Sequence, residues 1–186
     1  MKIGLCGSHR TGKTTLAKAI SKQLKIPFIQ TSTSEVFKQH GLHPAQPLDF
    51  KKRLWIQHRV LEAATRIWPI ESGHFITDRT PIDFIAYTLA DIQGATQVDF
   101  VELEIYLTHC FEVTNQFFTQ IVVLQPAIEL IYEEGKAALN RAYIEHLNLI
   151  IQGLCSDERL NCPSQTLKRH IINLQERVQQ IIKEIK

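Results

Sequence analysis

Residues 7–14 read Gly-Ser-His-Arg-Thr-Gly-Lys-Thr, and this stretch decides the fold because it fits the pattern G-x-x-x-x-G-K-[ST] in full. It follows the mostly apolar run 2–6, which is typical of a buried strand, and it precedes 13–25, where apolar residues have helical spacing. Glycines let a backbone curl so that several N–H groups point at one anion, and the following helix adds its positive N-terminal end. The sequence therefore predicts a phosphate-binding loop, or P-loop, between a strand and a helix.

Two side chains of this loop have specific expected roles. Lys13 can reach the β- and γ-phosphates of a nucleoside triphosphate as a point charge, and Thr14 can offer its hydroxyl to Mg²⁺. The predicted ATP-binding residues are Gly7, Ser8, His9, Arg10, Thr11, Gly12, Lys13, Thr14 and Thr15. Two alternatives stay open: the pattern could match by chance, and Thr15 could serve only the helix surface or its packing.

Length and composition limit the classes of protein to consider. The chain has 186 residues, 44% of them hydrophobic and 22% charged, which predicts one globular domain over 1–186. Its net charge of +2 is too small to favour a non-specific binder of nucleic acid or of membrane surfaces. No apolar run approaches the roughly 18 residues of a membrane span, and 1–6 is too short for a signal peptide. With four scattered cysteines, we expect free thiols and a cytoplasmic protein.

Strand and helix patterns alternate along the chain. The predicted strands are 2–6, 28–29, 74–77, 121–124 and, more weakly, 160–162. The predicted helices are 13–25, 34–40, 49–70, one that begins at Pro81, 97–117, 136–153 and 165–185. Such alternation predicts an α/β fold in which helices sandwich a parallel sheet. We expect the segments 41–49 and 125–141 to be mobile.

The pair Asp78-Arg79 is the second candidate feature, because it directly follows the predicted strand 74–77. An acid at the carboxyl end of a parallel strand points into the ligand crevice of an open sheet. Near a P-loop, Asp78 can hold Mg²⁺ through water or accept a proton from a substrate hydroxyl, and Arg79 can hold an acceptor phosphate. The alternative is that Asp78 caps the helix that opens near Pro81 and that Arg79 is solvated.

The segments 2–20 and 78–87 resemble small P-loop nucleoside and nucleotide kinases. This group includes thymidylate kinases, deoxynucleoside kinases and related AAA-type ATP-binding proteins of bacteria and phages. The resemblance implies a P-loop NTPase three-layer sandwich, with a five-stranded parallel sheet in the order 2-3-1-4-5 and the acceptor held by the helices after strands 2 and 3. It also implies that the acid of the Asp-Arg pair contacts the acceptor hydroxyl or Mg²⁺, and that Arg79 contacts phosphate.

The resemblance extends more weakly to the acceptor side. Glu35 follows the second strand, where the family places acceptor contacts, although a carboxylate is also favoured there by the dipole of a helix. Gln57 lies on the helix that carries a base-reading Gln in deoxynucleoside kinases, and a plain polar surface is the alternative. Trp55, on the same helix, is expected in the core rather than as a stacking platform.

On the donor side, kinases of this class close a basic lid over the transferring phosphate and so exclude water. Lys136 and Arg141 are the lid candidates, with ordinary helix-surface cations as the alternative. The family usually carries two or more arginines in its lid, and a lysine gives charge without a bidentate fork. The resemblance also places the adenine near the turn 162–164.

Together these features predict an ATP- and Mg²⁺-dependent phosphotransferase that moves the γ-phosphoryl group to a nucleoside, a nucleotide or a related small acceptor. The predicted catalytic residues are Lys13, Asp78, Arg79 and Arg141; Glu35, Gln57 and Arg79 would bind the acceptor, and Thr14 and Asp78 the metal. The rivals are a P-loop ATPase and an ATP-binding sensor without turnover. Nucleic acid enters only as an acceptor, no membrane partner is expected, and a dimer is compatible with the sequence.

Overall fold

The computed structural model describes residues 1–68, 73–131 and 139–185. Within these ranges strands and helices alternate, as the sequence predicts. The strands are β1 (Lys2–Cys6), β2 (Phe28–Ile29), β3 (Phe75–Thr77), β4 (Gln120–Leu124) and β5 (Ser164–Leu167). The helices are α1 (Lys13–Leu24), α2 (Thr33–Gln39), α3 (Phe50–Ile67), α4 (Pro81–Leu89), α5 (Phe100–Phe117), α6 (Arg141–Leu154) and α7 (Leu174–Ile185).

The strands form one sheet of five in the order β2-β3-β1-β4-β5, and all neighbours are parallel. The middle strand is β1, whose Gly4 lies opposite Thr77 of β3 and Ile121 of β4. In such a sheet the carboxyl ends of neighbouring strands meet at one edge, where ligands bind. The P-loop after β1 and Asp78 after β3 are therefore neighbours at this edge.

Helices cover both faces of the sheet. Ile3 and Leu5 of β1 point to one face, where they pack with buried residues of α1 and α7. Cys6 belongs to the opposite face, where buried residues of α3, α4, α5 and α6 form the second core cluster. Coverage on both faces explains why the central strands are almost wholly apolar. The predicted three-layer α/β sandwich and its strand order are confirmed.

The predicted final strand at 160–162 is wrong. The N–H groups of Asn161 and Cys162 donate to the side-chain oxygen of Asn115 and so make no ladder with a strand. Instead, Ser164–Leu167 pairs with β4 at the edge of the sheet. Three of its four residues are polar, and three are exposed or half-exposed, so the strand lacks the apolar run that marks a central strand.

Side-chain caps explain the other differences. The last helix begins at Leu174 rather than at 165, because the side chain of Asn173 accepts the free N–H groups of its first turn. In the same way Asp99 caps α5, which begins at 100 rather than at 97, and Asn140 caps α6. The predicted start of that helix at 136 lies outside the described residues. None of the helices in the described ranges is long and apolar enough to cross a bilayer.

Candidate active site

The P-loop backbone needs glycine at the two glycine positions of its motif. Gly7 has a φ of 151° and Gly12 a φ of 81°, both in the region that side chains disfavour. A Cβ on Gly7 would lie 2.4 Å from the carbonyl oxygen of Leu124 at the end of β4. Arg10 is also left-handed, with a φ of 62°, and its guanidinium donates to the carbonyl of Ile131 at 2.8 Å. The loop is thus fixed against β4 and the segment that follows it.

Lys13 lies inside the curl of the loop. Its ammonium donates to the carbonyl oxygens of Gly7 at 2.5 Å and Ser8 at 2.9 Å, and it lies 3.7 Å from a carboxylate oxygen of Asp83. Burial, together with the positive charge of Arg79, lowers the pKa of Lys13 to about 8. A buried ammonium with a lowered pKa gains more than a solvated one from a nearby polyanion such as a phosphate chain.

Asp78 is buried and lies against the start of α1. The hydroxyl of Thr14 donates to Asp78 Oδ2 at 2.5 Å, and the N–H of Thr31 donates to Oδ1 at 3.3 Å. The helix cap that was the alternative role of Asp78 belongs instead to Thr80. The two predicted metal-binding residues are therefore brought together, and their role toward a metal stays a prediction.

Asp83 is the site residue that sequence reasoning missed. It is fully buried, and its carboxylate accepts the N–H of Gly7 at 3.2 Å and both the N–H and the hydroxyl of Thr80 at 2.9 and 3.0 Å. Burial raises its pKa, and the positive charges of Lys13 and Arg79 oppose that rise. The spacing Thr80-x-x-Asp83 is a capping-box signal that could have revealed it. Asp83 joins the first residue of the P-loop to the turn between β3 and α4.

Aromatic contacts join the loop to two helices. His9 Nδ1 lies 3.3 Å from the hydroxyl of Tyr87 on α4, and its ring centre is 5.9 Å from that of Tyr143 on α6. Arg79 is half-buried over the ring of Tyr87, at 5.6 Å from its centre, rather than solvated. Tyr87 therefore connects Arg79 of the Asp-Arg pair to His9 of the P-loop.

Three predicted site residues make no polar contact with Lys13 or Asp78. Glu35 is exposed in the first turn of α2, and Arg141 is exposed at the start of α6. Gln57 is buried on α3, which excludes the plain polar surface that was its alternative. Within the described part of the chain, no hydrogen bond or ion pair connects any of the three to Lys13 or Asp78. Their functional roles stay predictions.

The predictions for Trp55 and for the turn 162–164 are wrong, and the prediction for Lys136 falls outside the described residues. The side chain of Trp55 is 40% exposed and meets His40 edge-on, so it is not a core residue. The turn 162–164 leads into the amino end of β5, whereas the P-loop follows the carboxyl end of β1 in the same parallel sheet. The turn and the P-loop therefore lie at opposite ends of the strands, and the turn cannot hold the adenine. The lid candidate Lys136 lies outside the described residues, as do 132–138 of the segment that we expect to be mobile.

A cavity of about 570 Å³ opens between the starts of α3 and α6 and the end of α4. Arg53 and Asp91 line it, with Arg53 Nε 2.6 Å from Asp91 Oδ2, and Tyr143 connects it to the P-loop through His9. A second cavity of similar volume adjoins it and shares the Arg53–Asp91 pair. The volume is in the range of small-molecule sites. Sequence reasoning missed this space because distant segments enclose it.

The residues around Thr14 fit a magnesium ion better than a metal held by protein alone. Within the described ranges, no group of three or more His, Cys, Asp and Glu side chains could hold a metal. Magnesium in phosphate-transferring sites is usually bound by one or two protein oxygens, with waters and substrate phosphates as the other ligands. The hydroxyl of Thr14 and the carboxylate of Asp78 are two such oxygens in direct contact.

The comparisons with known proteins agree with this architecture. A deoxyadenosine kinase from M. mycoides, solved with the products dCMP and dCDP bound, is similar over 100% of this chain and 98% of its own, with a TM-score of 0.72 and 17% identity. A thymidylate kinase from Candida albicans is similar over 98% of this chain and 89% of its own, with a TM-score of 0.62 and 17% identity. The YorR protein from Bacillus subtilis, solved in complex with phosphorylated GDP, is similar over 98% and 94%, with a TM-score of 0.59 and 15% identity.

Fold and loop together define a P-loop protein that resembles nucleoside and nucleotide kinases. A protein family described as an AAA domain matches residues 2–134, which is more than half of the chain. The chain therefore belongs to this AAA domain family. No curated protein sequence matches it.

Proposed function

We propose that this protein is an ATP- and Mg²⁺-dependent phosphotransferase that moves the γ-phosphoryl group to a nucleoside or nucleotide. The observation that carries the proposal is the direct contact between Thr14 of α1 and Asp78 after β3, beside the ammonium of Lys13. This arrangement puts a hydroxyl, a carboxylate and a cation at the one edge of the sheet where ligands bind. The kinase fold of the similar structures is in keeping with it.

The loop would hold the triphosphate by its backbone N–H groups and by the positive end of α1. Lys13, which now donates to the carbonyl oxygens of Gly7 and Ser8, would donate to phosphate oxygens and draw charge from them. Arg79 and Arg141 would add positive charge on the acceptor and donor sides. Phosphoryl transfer needs mainly positioning and charge stabilisation, which is what these residues offer.

Thr14 and Asp78 would hold Mg²⁺, which neutralises charge on the phosphate oxygens when bound. The Thr31 N–H that donates to Asp78 fixes one carboxylate oxygen and leaves the other toward Thr14. Asp78 could also orient the acceptor hydroxyl, and Glu35 is the alternative carboxylate for that role.

The acceptor would lie between the P-loop and the cavity lined by Arg53, Asp91 and Tyr143. This space faces the helices that follow the second and third strands, where the acceptor is expected. Buried Gln57 of α3 remains the candidate for reading a base edge through its amide. A single domain over 1–186 would then hold both substrates, and nucleic acid is retained only as a candidate acceptor.

Labelled ATP tests the proposal when it is offered with nucleosides, nucleoside monophosphates and DNA in turn. We expect label transfer to at least one acceptor class, and Asp78→Asn should lower the rate by roughly 100-fold or more, because a neutral amide binds Mg²⁺ more weakly than a carboxylate and cannot accept a proton. Asp99→Asn is the matched control, because Asp99 caps α5 at an exposed position and should leave transfer unchanged. Fast hydrolysis without transfer to any acceptor would favour the ATPase instead.

A further inference from the structure

Arg177 of α7 places a buried cation against the outside of the P-loop. Only 3% of its surface is exposed. Its Nη2 donates to the carbonyl oxygen of Thr11 at 3.1 Å, and its Nη1 lies 3.2 Å from the position that a Cβ on Gly12 would occupy. The guanidinium therefore touches the peptide that joins the last two residues before the phosphate-binding lysine.

The charge of Arg177 has no acidic partner in the described part of the chain. No carboxylate forms an ion pair with it there, its buried Nε makes no hydrogen bond, and burial alone lowers its pKa. The carbonyl of Thr11 is a neutral acceptor. A buried charge without a counter-charge is costly, and the positive end of α1 makes this place still less favourable for a cation.

Packing of α7 does not require an arginine at position 177. The helix already docks through Val178, Ile181 and Ile182, which share an apolar cluster with α1. An apolar side chain of similar length would continue that cluster without the cost of burying a charge. Two features of the position instead point to a bound anion: the unpartnered Nε and the nearness of the phosphate-binding backbone.

We propose that Arg177 is a positioning residue of the nucleotide site. Its guanidinium holds the Thr11 carbonyl and the left-handed Gly12 in place, and its positive charge is compensated when the phosphate chain enters the loop. The C-terminal helix is thereby part of the nucleotide site although it lies on the outer side of the loop. The inference rests on the proposed binding of a nucleoside triphosphate by the P-loop.

Two variants separate the charge from the hydrogen bond. Arg177→Gln removes the charge but keeps a donor for Thr11, whereas Arg177→Met removes both and keeps most of the unbranched apolar stem. Lys183→Met is the matched control, because it removes a cation from an exposed position of the same helix. Each variant is titrated with ATP and with inorganic tripolyphosphate at low and at physiological ionic strength, and its thermal unfolding is measured without ligand.

We expect Arg177→Met to weaken binding of ATP and of tripolyphosphate by roughly tenfold or more. The affinity of Arg177→Gln should lie between that of Arg177→Met and that of the wild type. Binding to both variants should depend less on salt than binding to the wild type does. Lys183→Met should bind as the wild type does. A purely structural role would lower the unfolding temperature and leave the salt dependence of binding unchanged, and that result in either variant would overturn the inference. If the wild-type protein binds ATP and all variants match it, only the role of Arg177 fails; if the wild type binds neither probe, the proposed function fails with it.

Discussion

Gly7 shows how strictly single residues of the loop are determined. Its positive φ and the carbonyl of Leu124 that a Cβ would meet leave room for a hydrogen and nothing larger. The pattern of the loop is local in sequence, so the roles of Gly7, Gly12 and Lys13 can be proposed from the sequence alone. Asp83 and Arg177 reach the same loop from α4 and α7, and only the folded chain shows those contacts.

Gly7→Ala should therefore lower the free energy of unfolding by about 1–3 kcal/mol, the usual cost of a strained backbone, and should also abolish ATP binding. Thermal unfolding and calorimetry measure the two effects. Gly94→Ala is the control, because nothing lies within 4 Å of a Cβ at that position. Equal stability of the two variants would contradict the geometry described for the loop.

The lowered pKa of Lys13 predicts a dependence on pH. The folded protein gives up this proton at a pKa of about 8 and the unfolded chain at 10.5, so this group makes unfolding less favourable as the pH rises from about 8 to 10.5. Phosphate favours the charged lysine, so ATP binding above a pH of about 8 should take up a proton and weaken as the pH rises.

Calorimetry in buffers of different ionisation enthalpy measures that proton uptake. Lys13→Arg is the control, because a guanidinium stays charged throughout this range and should bind without proton uptake. An affinity and proton count that do not vary from neutral to alkaline pH would show that Lys13 does not titrate there.

Among the helices and strands, too, some features can be predicted from the sequence and others cannot. The helix start at Pro81 is evident in the sequence because proline favours the first turn. The edge strand β5 is not, because its polar residues have no apolar pattern, and its partners come from β4, far along the chain. Elements that bury both faces can be predicted from the sequence, and an element defined by its partner strand cannot.

Asp83→Asn tests whether this turn supports the loop. An amide keeps one acceptor but adds a donor beside the N–H groups of Gly7 and Thr80 and removes the counter-charge of Lys13. We expect a loss of about 1–3 kcal/mol in the free energy of unfolding, and weaker ATP binding. Asp49→Asn, at the exposed cap of α3, should cost less than about 1 kcal/mol. Similar losses for both variants would mean that Asp83 acts only as a helix cap.

At the scale of the whole molecule, the strand order places the residues of the candidate site around the P-loop. Because β1 lies between β3 and β4, the loop after β1 receives Asp78 and Asp83 from one side and Leu124 from the other. The cavity by Arg53 and Asp91 forms where α3, α4 and α6 converge. The fold class and strand order could be stated from the resemblance, whereas the shape of the acceptor space depends on packing between distant helices.

Binding of ATP by the P-loop is the claim on which the function depends, and calorimetric titration with ATP and Mg²⁺ tests it most directly. We expect saturable binding to the wild type, and loss of binding in Lys13→Ala with the fold preserved, because the alanine removes the cation inside the loop. Lys22→Ala, on the exposed side of α1, is the control and should bind normally. Binding of equal strength in Lys13→Ala and the wild type, or no heat of binding in the wild type, would contradict the account.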